Sequence, residues 1–143
     1  MPWLAAIRTA RGLFEFEDDE WAPIAGQLNL AMSALLGPYR NMAVATKVLH
    51  AKRPGLFPIL DSLVVEMAGG VGRSPADLLD WFRAVGRANR SALGLVAADL
   101  EHIHLHRTEV RVLDALLWAA HPASSMPFLP GRWERRIGIA RKT

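Results

Sequence analysis

Prolines and glycines divide this sequence into short segments, and most segments repeat their apolar residues at the three- and four-residue spacing of an α-helix. The breaks fall at Gly37-Pro38, at Arg53-Pro54, at Gly69-Gly70 and at Pro122. Proline ends a helix because it lacks an N–H group and pushes the preceding residue out of the helical conformation. Alternating strand patterns are nearly absent. The sequence therefore predicts an all-α chain of short helices.

The periodic segments predict a compact single-domain bundle of about six helices, with a further short helix over residues 3 to 11. The clearest start signal is Ser74-Pro75, a cap followed by proline at the first helical position, with Asp77 completing the cap. Thr108 starts the last helix in the same way. The inner face of the second helix is predicted to hold Met42, Ala45, Val48 and Leu49. We expect Leu49, Leu63, Phe82, Leu113 and Trp118 to be buried together.

Composition narrows the class of protein. The chain has 143 residues, 51% of them hydrophobic, and no cysteine. It is long enough for one core without disulfides, and thiolate metal sites are excluded. The N-terminus lacks the pattern of a signal peptide, and the uncharged stretch from Trp21 to Tyr39 contains Gln27 and Asn29, which favours a core helix over a membrane span. We expect a cytoplasmic protein with no membrane partner and no cofactor.

Positive charge is concentrated at the C-terminus. The net charge is +3, and the segment 131–143 carries +4, because it holds Arg132, Arg135, Arg136, Arg141 and Lys142 against Glu134. We therefore divide the chain into a helical domain over residues 1–130 and a basic tail over residues 131–143. Such a tail suits a nucleic acid or an acidic partner, and it is also typical of a solvated end that only aids solubility.

The stretch "ATKVLHAKRPGLFPILDSLV", residues 45–64, combines a basic turn with an aspartate. Pro58 is predicted to lie in the first turn of a helix, which places Asp61 where a carboxylate stabilises free backbone amides. A catalytic carboxylate is the alternative interpretation of Asp61. Lys47, Lys52 and Arg53, with Arg40, are predicted to contact phosphate groups; the alternative is that Lys52 and Arg53 only stabilise the end of the preceding helix.

Two segments resemble an uncharacterised family of small bacterial helical proteins, whose members carry an "A-[ST]-K-hL-x-x-KRP-x-hhP-hhDS-hV" segment and a later "hRhLD-hhLW" helix. In this chain they are residues 45–64 and "VRVLDALLW", residues 110–118. The resemblance covers roughly residues 40 to 121. It implies a fold more than an activity.

A fainter resemblance is to the helix-hairpin-helix base-excision DNA glycosylases. In these enzymes a hairpin leads into a helix and a "P-x-x-hPhD" turn places the catalytic aspartate, which corresponds here to "LLGPYRNMAVATKVLH" and "PGLFPILD". The resemblance implies a related fold and puts Asp61 at the aspartate position. The hairpin glycine pair is missing, because Gly37 is followed by Pro38, Tyr39 and Arg40, and no lysine stands at the position of a lyase nucleophile.

The "HIHLH" segment contains three histidines, which are common metal ligands. His102 and His106 are four residues apart, so they share a face if the segment is helical, and His104 joins them if it is a strand. No other residue with ligand spacing accompanies them. We predict no metal site, because histidines also favour the C-terminal end of a helix.

The prediction for function is a small DNA-binding domain without catalysis, which contacts phosphates through the turn at residues 52 to 61 and through Arg132, Arg135 and Arg136 of the tail. The first alternative is a helical protein–protein interaction module or homodimer, in which the basic residues are merely solvated. A second alternative is a glycosylase-like enzyme that uses Asp61.

Overall fold

The computed structural model describes residues 9–36, 41–69 and 74–121. These ranges form one 3-10 turn, Leu13–Glu15, and six α-helices without a strand among them. The helices are α1 (Asp18–Leu36), α2 (Met42–Lys52), α3 (Ser62–Met67), α4 (Pro75–Ala88), α5 (Arg90–His102) and α6 (Glu109–Ala120). The predicted all-α, six-helix domain is confirmed. None of the described helices has the length and apolar character that crossing a membrane requires.

Local capping signals set the helix starts that the sequence predicts. Ser74 Oγ accepts a hydrogen bond from the Asp77 amide at 3.1 Å, and the Asp77 carboxylate accepts one from the Ser74 amide at 3.0 Å. The two bonds form a reciprocal capping box. Thr108 Oγ1 accepts the Arg111 amide at 3.3 Å at the start of α6. Each cap satisfies amides that have no partner inside their own helix.

The third helix begins later than predicted. Pro58 is not in its first turn; α3 starts at Ser62, and residues 56–60 form an irregular segment. Leu56, Phe57 and Leu60 in this segment are at most 2% exposed. The Leu60 amide donates to Thr46 Oγ1 at 3.1 Å, so the segment is held by a side chain of α2. Burial of three large apolar side chains outweighs the local preference for an earlier helix start.

The second helix is rotated from the predicted orientation. Thr46 is fully buried and Val48 is 39% exposed, so the assignment of Val48 to the inner face is wrong. The Thr46 hydroxyl donates to the Met42 carbonyl at 2.8 Å and accepts from Leu60, which satisfies it inside the core. Burying a threonine costs little free energy when its hydroxyl both donates and accepts a hydrogen bond.

The core contains three of the five side chains expected there. Leu49, Phe82 and Leu113 belong to it. Leu63 and Trp118 are only half-buried, and their assignment to the core is wrong. On α6 the buried stripe runs through Val110, Leu113, Asp114 and Leu117. Trp118 lies at the edge of that stripe because it is one position beyond Leu117.

The 3-10 turn and the residue that follows it supply core residues that the sequence pattern did not reveal. Leu13, Phe14 and Phe16 are buried, and the Phe14 ring stacks on Phe82 with the ring centroids 6.0 Å apart. The Phe14 ring lies directly against Gly86 of α4. Of the short helix predicted over residues 3 to 11, residues 9–11 are not helical, and the rest lies outside the described ranges.

Candidate nucleic-acid interface

The Lys-Arg-Pro-Gly turn after α2 contacts segments from both ends of the described domain. Its Gly55 carbonyl accepts the Leu13 amide at 2.8 Å. Its Pro54 carbonyl accepts the hydroxyl of Thr108, the residue that caps α6, at 2.9 Å. The turn is therefore fixed between the start of the 3-10 turn and the N-terminus of α6.

This contact brings Arg107 to the turn. Arg107 precedes Thr108 in the chain, and its exposed guanidinium makes one hydrogen bond, to the His106 carbonyl at 3.0 Å. Lys52, on the other side of the contact, is also exposed. We call Lys52, Arg53 and Arg107 the basic corner. The N-terminus of α6 lies beside it, and the partial positive charge of a helix start adds to the charge of the side chains.

Arg53 has a structural partner. Its guanidinium donates to the Thr9 carbonyl, and its side chain is half-buried. Arg53 thus holds the incoming chain against the turn. In the basic corner, the cations most accessible to an anionic partner are Lys52 and Arg107.

The other predicted contacts are not brought to the corner. Lys47 is exposed on α2, but it lies five positions before Lys52, which places the two side chains about 140° apart around the helix. Arg40 and the tail residues Arg132, Arg135 and Arg136 lie outside the described residues.

Most of the described arginines form ion pairs with acidic side chains. The ion pairs join Arg11 to Glu20 at 2.7 Å, Arg83 to Asp18 at 2.8 Å, Arg87 to Glu17 at 2.7 Å, and Arg90 to both Glu15 and Glu109 at 3.5 Å. The Arg11 hydrogen bond is the main reason that the pKa of Glu20 falls to about 2. Within the described ranges, Lys47, Lys52 and Arg107 make no ion pair. Two of these three cations are in the basic corner.

Asp61 is the N-cap of α3, as its capping interpretation predicted. Its Oδ1 accepts the amides of Leu63 at 3.0 Å and Val64 at 3.1 Å. An N-cap carboxylate stabilises a helix start, so this geometry explains why an aspartate stands at position 61 without a catalytic role. The catalytic interpretation of Asp61 stays a prediction.

Ionisable side chains of residues 45–64 lie close enough to Asp114 of α6 to influence its pKa. Asp114 of α6 is 5% exposed and accepts a hydrogen bond from Arg111 one turn earlier. Burial raises the pKa of Asp114, and the charge of Asp61 raises it further, whereas Arg111 and His50 oppose the shift. His50 Nδ1 lies 2.6 Å from the Phe57 carbonyl, so that nitrogen carries the proton. A buried carboxylate beside a second one costs stability when both are ionised.

Stability should respond to pH in opposite directions at Asp114 and Asp18. The pKa of Asp114 is raised in the folded state, so its stabilising contribution is present in acid and is lost as the pH rises through that pKa. Hence Asp114→Asn should gain stability relative to the parent as the pH rises from about 3, which lies below the ordinary carboxyl range. The pKa of Asp18 is lowered, chiefly by its hydrogen bond from Arg83, so its stabilising contribution is complete above about pH 5 and is lost as the pH falls. Asp18→Asn should therefore lose stability relative to the parent as the pH rises to about 5. Urea unfolding at a series of pH values measures both trends; equal slopes for the two variants would contradict the assignment.

The "HIHLH" segment forms the end of α5. His104 has a φ of 61°, and its amide donates to the Glu101 carbonyl at 2.9 Å, while the Leu105 amide donates to the Leu100 carbonyl at 2.9 Å. This is a Schellman motif with histidine at the left-handed position. Across the described ranges no group of three or more His, Cys, Asp or Glu residues is placed to hold a metal ion.

The fold and the basic corner define a small all-helical domain with a few accessible cations. The chain belongs to the family of unknown function DUF6308, whose sequence model matches residues 1–121. The resemblance was expected to begin near residue 40, whereas the family match begins at residue 1. No curated protein and no solved structure matches the chain. The similarity to DNA glycosylases therefore stays a prediction.

Proposed function

We propose that this domain binds DNA through its phosphate groups, with the basic corner as the contact on the folded body and without catalysing a reaction. The observation that carries the proposal is the hydrogen bond from Thr108 to the Pro54 carbonyl, which joins Arg107 to the predicted pair Lys52 and Arg53. Such contacts position a protein on DNA without reading its sequence. A DNA-binding role implies a location in the bacterial cytoplasm, where the chromosome lies.

The basic tail is proposed to add to this contact. The described ranges contain more acidic than basic residues, whereas the tail holds Arg132, Arg135 and Arg136 in close succession. Two accessible cations on the folded body give only weak affinity, since each phosphate contact contributes through the release of counterions. Arg40 and Lys47 remain proposed contacts of lower rank, because the structure does not bring Lys47 to the corner.

A salt titration of DNA binding tests the proposal. We expect the full chain to bind a fluorescent duplex, and the double variant Lys52→Ala with Arg107→Ala to bind more weakly, equally so for two unrelated sequences. Its plot of log affinity against log salt should be shallower by about 1.8, because each lost phosphate contact removes about 0.9. Anisotropy measures the affinity, and thermal melting followed by circular dichroism checks that the fold is intact.

Lys47→Ala with Arg87→Ala is the charge-matched control, because it removes the same charge outside the basic corner: Lys47 is a contact of lower rank, and Arg87 is paired with Glu17. It should reduce the slope less than the corner variant does. Equal losses in the two double variants would refute the basic corner as the contact. A parent chain that fails to bind duplex at low salt would refute DNA binding altogether.

The enzymatic alternative can be measured in the same samples. If Asp61 were a catalytic carboxylate, the parent would release a base from a damaged duplex, and Asp61→Asn would bind that duplex without releasing the base. Asparagine can still accept the amide bonds of the cap, so the variant should keep its fold. Base release that depends on Asp61 would replace the proposal of binding without catalysis.

A further inference from the structure

Residues 21–60 contain no acidic side chain. All 14 Asp and Glu residues of the chain lie before or after this stretch, whereas four of its basic residues lie inside it: Arg40, Lys47, Lys52 and Arg53. Helix α2 lies wholly within the stretch and packs against α1. Its two lysines are exposed and its histidine is half-buried. A surface whose charges all have one sign favours a partner of the opposite sign.

The exposed side of α2 carries an apolar stripe between its two lysines. Val44 is 56% exposed, Val48 is 39% exposed, and Ala51 is exposed one turn further along. These three side chains lie within about 60° of one another around the helix, with Lys47 on one flank and Lys52 on the other. We call these five residues the α2 seam. Phosphate contacts explain exposed lysines, but they do not explain exposed valines.

The α2 seam has the spacing of one strand of a coiled coil. Val44, Val48 and Ala51 are separated by four and then three positions, which is the spacing of successive d, a and d positions of a heptad. In that register Lys47 is a g position and Lys52 is the following e position. Side chains at e and g flank the apolar contact between two helices, and their charges set which partner helix is accepted. The seam therefore suits a second helix lying alongside α2.

Charge disfavours a second copy of this chain as the occupant. In a parallel pair of α2 helices, Lys47 of each copy would face Lys52 of the other, because a g residue faces the next e residue of its partner. In an antiparallel pair each lysine would face its own equivalent. Both arrangements place like charges together. The acids near the start of α1 offer no alternative, since three of the five already pair with arginines: Glu17, Asp18 and Glu20.

We propose that the α2 seam binds an amphipathic helix of another protein, one that carries acidic residues on both sides of an apolar stripe. The apolar residues of that helix would pack on Val44 and Val48, and its carboxylates would meet Lys47 and Lys52. Because α2 has 11 residues, the contact is small and the complex reversible. Lys52 also belongs to the basic corner, so the partner helix and DNA would compete for it.

Two synthetic peptides of three heptads test the charge requirement. Both carry isoleucine at a and leucine at d, and they differ only at e and g, where one carries glutamate and the other lysine. We expect the full chain to bind the acidic peptide, and to bind the basic peptide at least tenfold more weakly, as measured by fluorescence anisotropy. Lys47→Glu with Lys52→Glu should reverse this preference. A preference that the charge reversal leaves unchanged would overturn the α2 seam as the site.

A second pair of variants tests the apolar stripe apart from the charges. Val44→Ser with Val48→Ser keeps both lysines and should weaken binding of the acidic peptide at least tenfold, because the peptide loses its apolar contact. Leu95→Ser with Val96→Ser is the matched control. These residues are 71% and 37% exposed on α5, and their substitution should leave binding unchanged. Thermal melting followed by circular dichroism checks that every variant still folds.

Three further results would overturn the proposal. The first is a parent chain that does not bind the acidic peptide at low salt. The second is binding that survives the substitutions in the α2 seam, which would assign the peptide to the basic tail. The third is a loss of duplex affinity in the Val44→Ser, Val48→Ser variant as large as its loss of peptide affinity, which would assign the stripe to DNA. We expect that variant to bind duplex as the parent does, so DNA binding and helix binding can fail independently.

Discussion

Replacing Gly86 by alanine should destabilise the domain by about 3 kcal/mol or more, the largest effect expected from any single methyl group here. A Cβ atom at this position would overlap three atoms of the Phe14 ring. The ring cannot move away easily, because it is 1% exposed and stacks on Phe82. Denaturant unfolding followed by circular dichroism measures the loss.

Two further variants separate this overlap from the general effect of alanine in a helix. Gly94→Ala should stabilise the domain slightly, because its Cβ would make an ordinary contact of 3.5 Å with Glu109 Oε1, and alanine favours the helix. In a Phe14→Ala background, Gly86→Ala should become neutral or stabilising, since the ring is gone. Equal costs of Gly86→Ala with and without Phe14 would contradict the proposed overlap.

Thr46→Val should cost about 2 kcal/mol, although valine has nearly the same shape as threonine. The Thr46 hydroxyl is the partner of the Leu60 amide, and both residues are fully buried. Valine would leave that amide buried without a hydrogen bond, a loss that its extra methyl group does not offset. Thermal and urea unfolding measure the change.

Thr46→Ser is the matched control for the hydroxyl. Serine keeps the acceptor for the Leu60 amide and removes one methyl group, so its cost should reflect only lost apolar contact, about 1 kcal/mol. We expect the valine variant to be the less stable of the two. The reverse order would show that packing at this site matters more than the hydrogen bond.

The features that the sequence predicted correctly depend on neighbouring residues. Ser74 with Asp77, Thr108 with Arg111, and the Asp61 cap all act over two or three positions of the chain. The chemistry of such caps is visible in a short stretch of letters. The number of helices follows largely for the same reason, since most helices are bounded by a cap, a proline or a glycine; the break between α4 and α5 at Asn89 has no side-chain cap.

The features that the sequence did not predict depend on contacts between residues that are far apart in the chain. Arg107 was not assigned to the interface, because its link to the turn is a hydrogen bond between Thr108 and Pro54, 54 positions apart. Phe14 was missed because a 3-10 turn of three residues is too short to show a period. The rotation of α2 was missed because apolar spacing does not reveal that a buried threonine has two partners.

The contacts of the Pro54-Gly55 turn also bear on the order in which the domain folds. The turn is held by Leu13 from one side and by Thr108 from the other, so its final geometry requires residues far apart in the chain to be in place. Closing such long loops costs entropy before any contact compensates for it, and this slows folding relative to a helical bundle whose contacts are local. We therefore expect the basic corner to form late in folding, and a growing chain cannot form it before Thr108 has been synthesised.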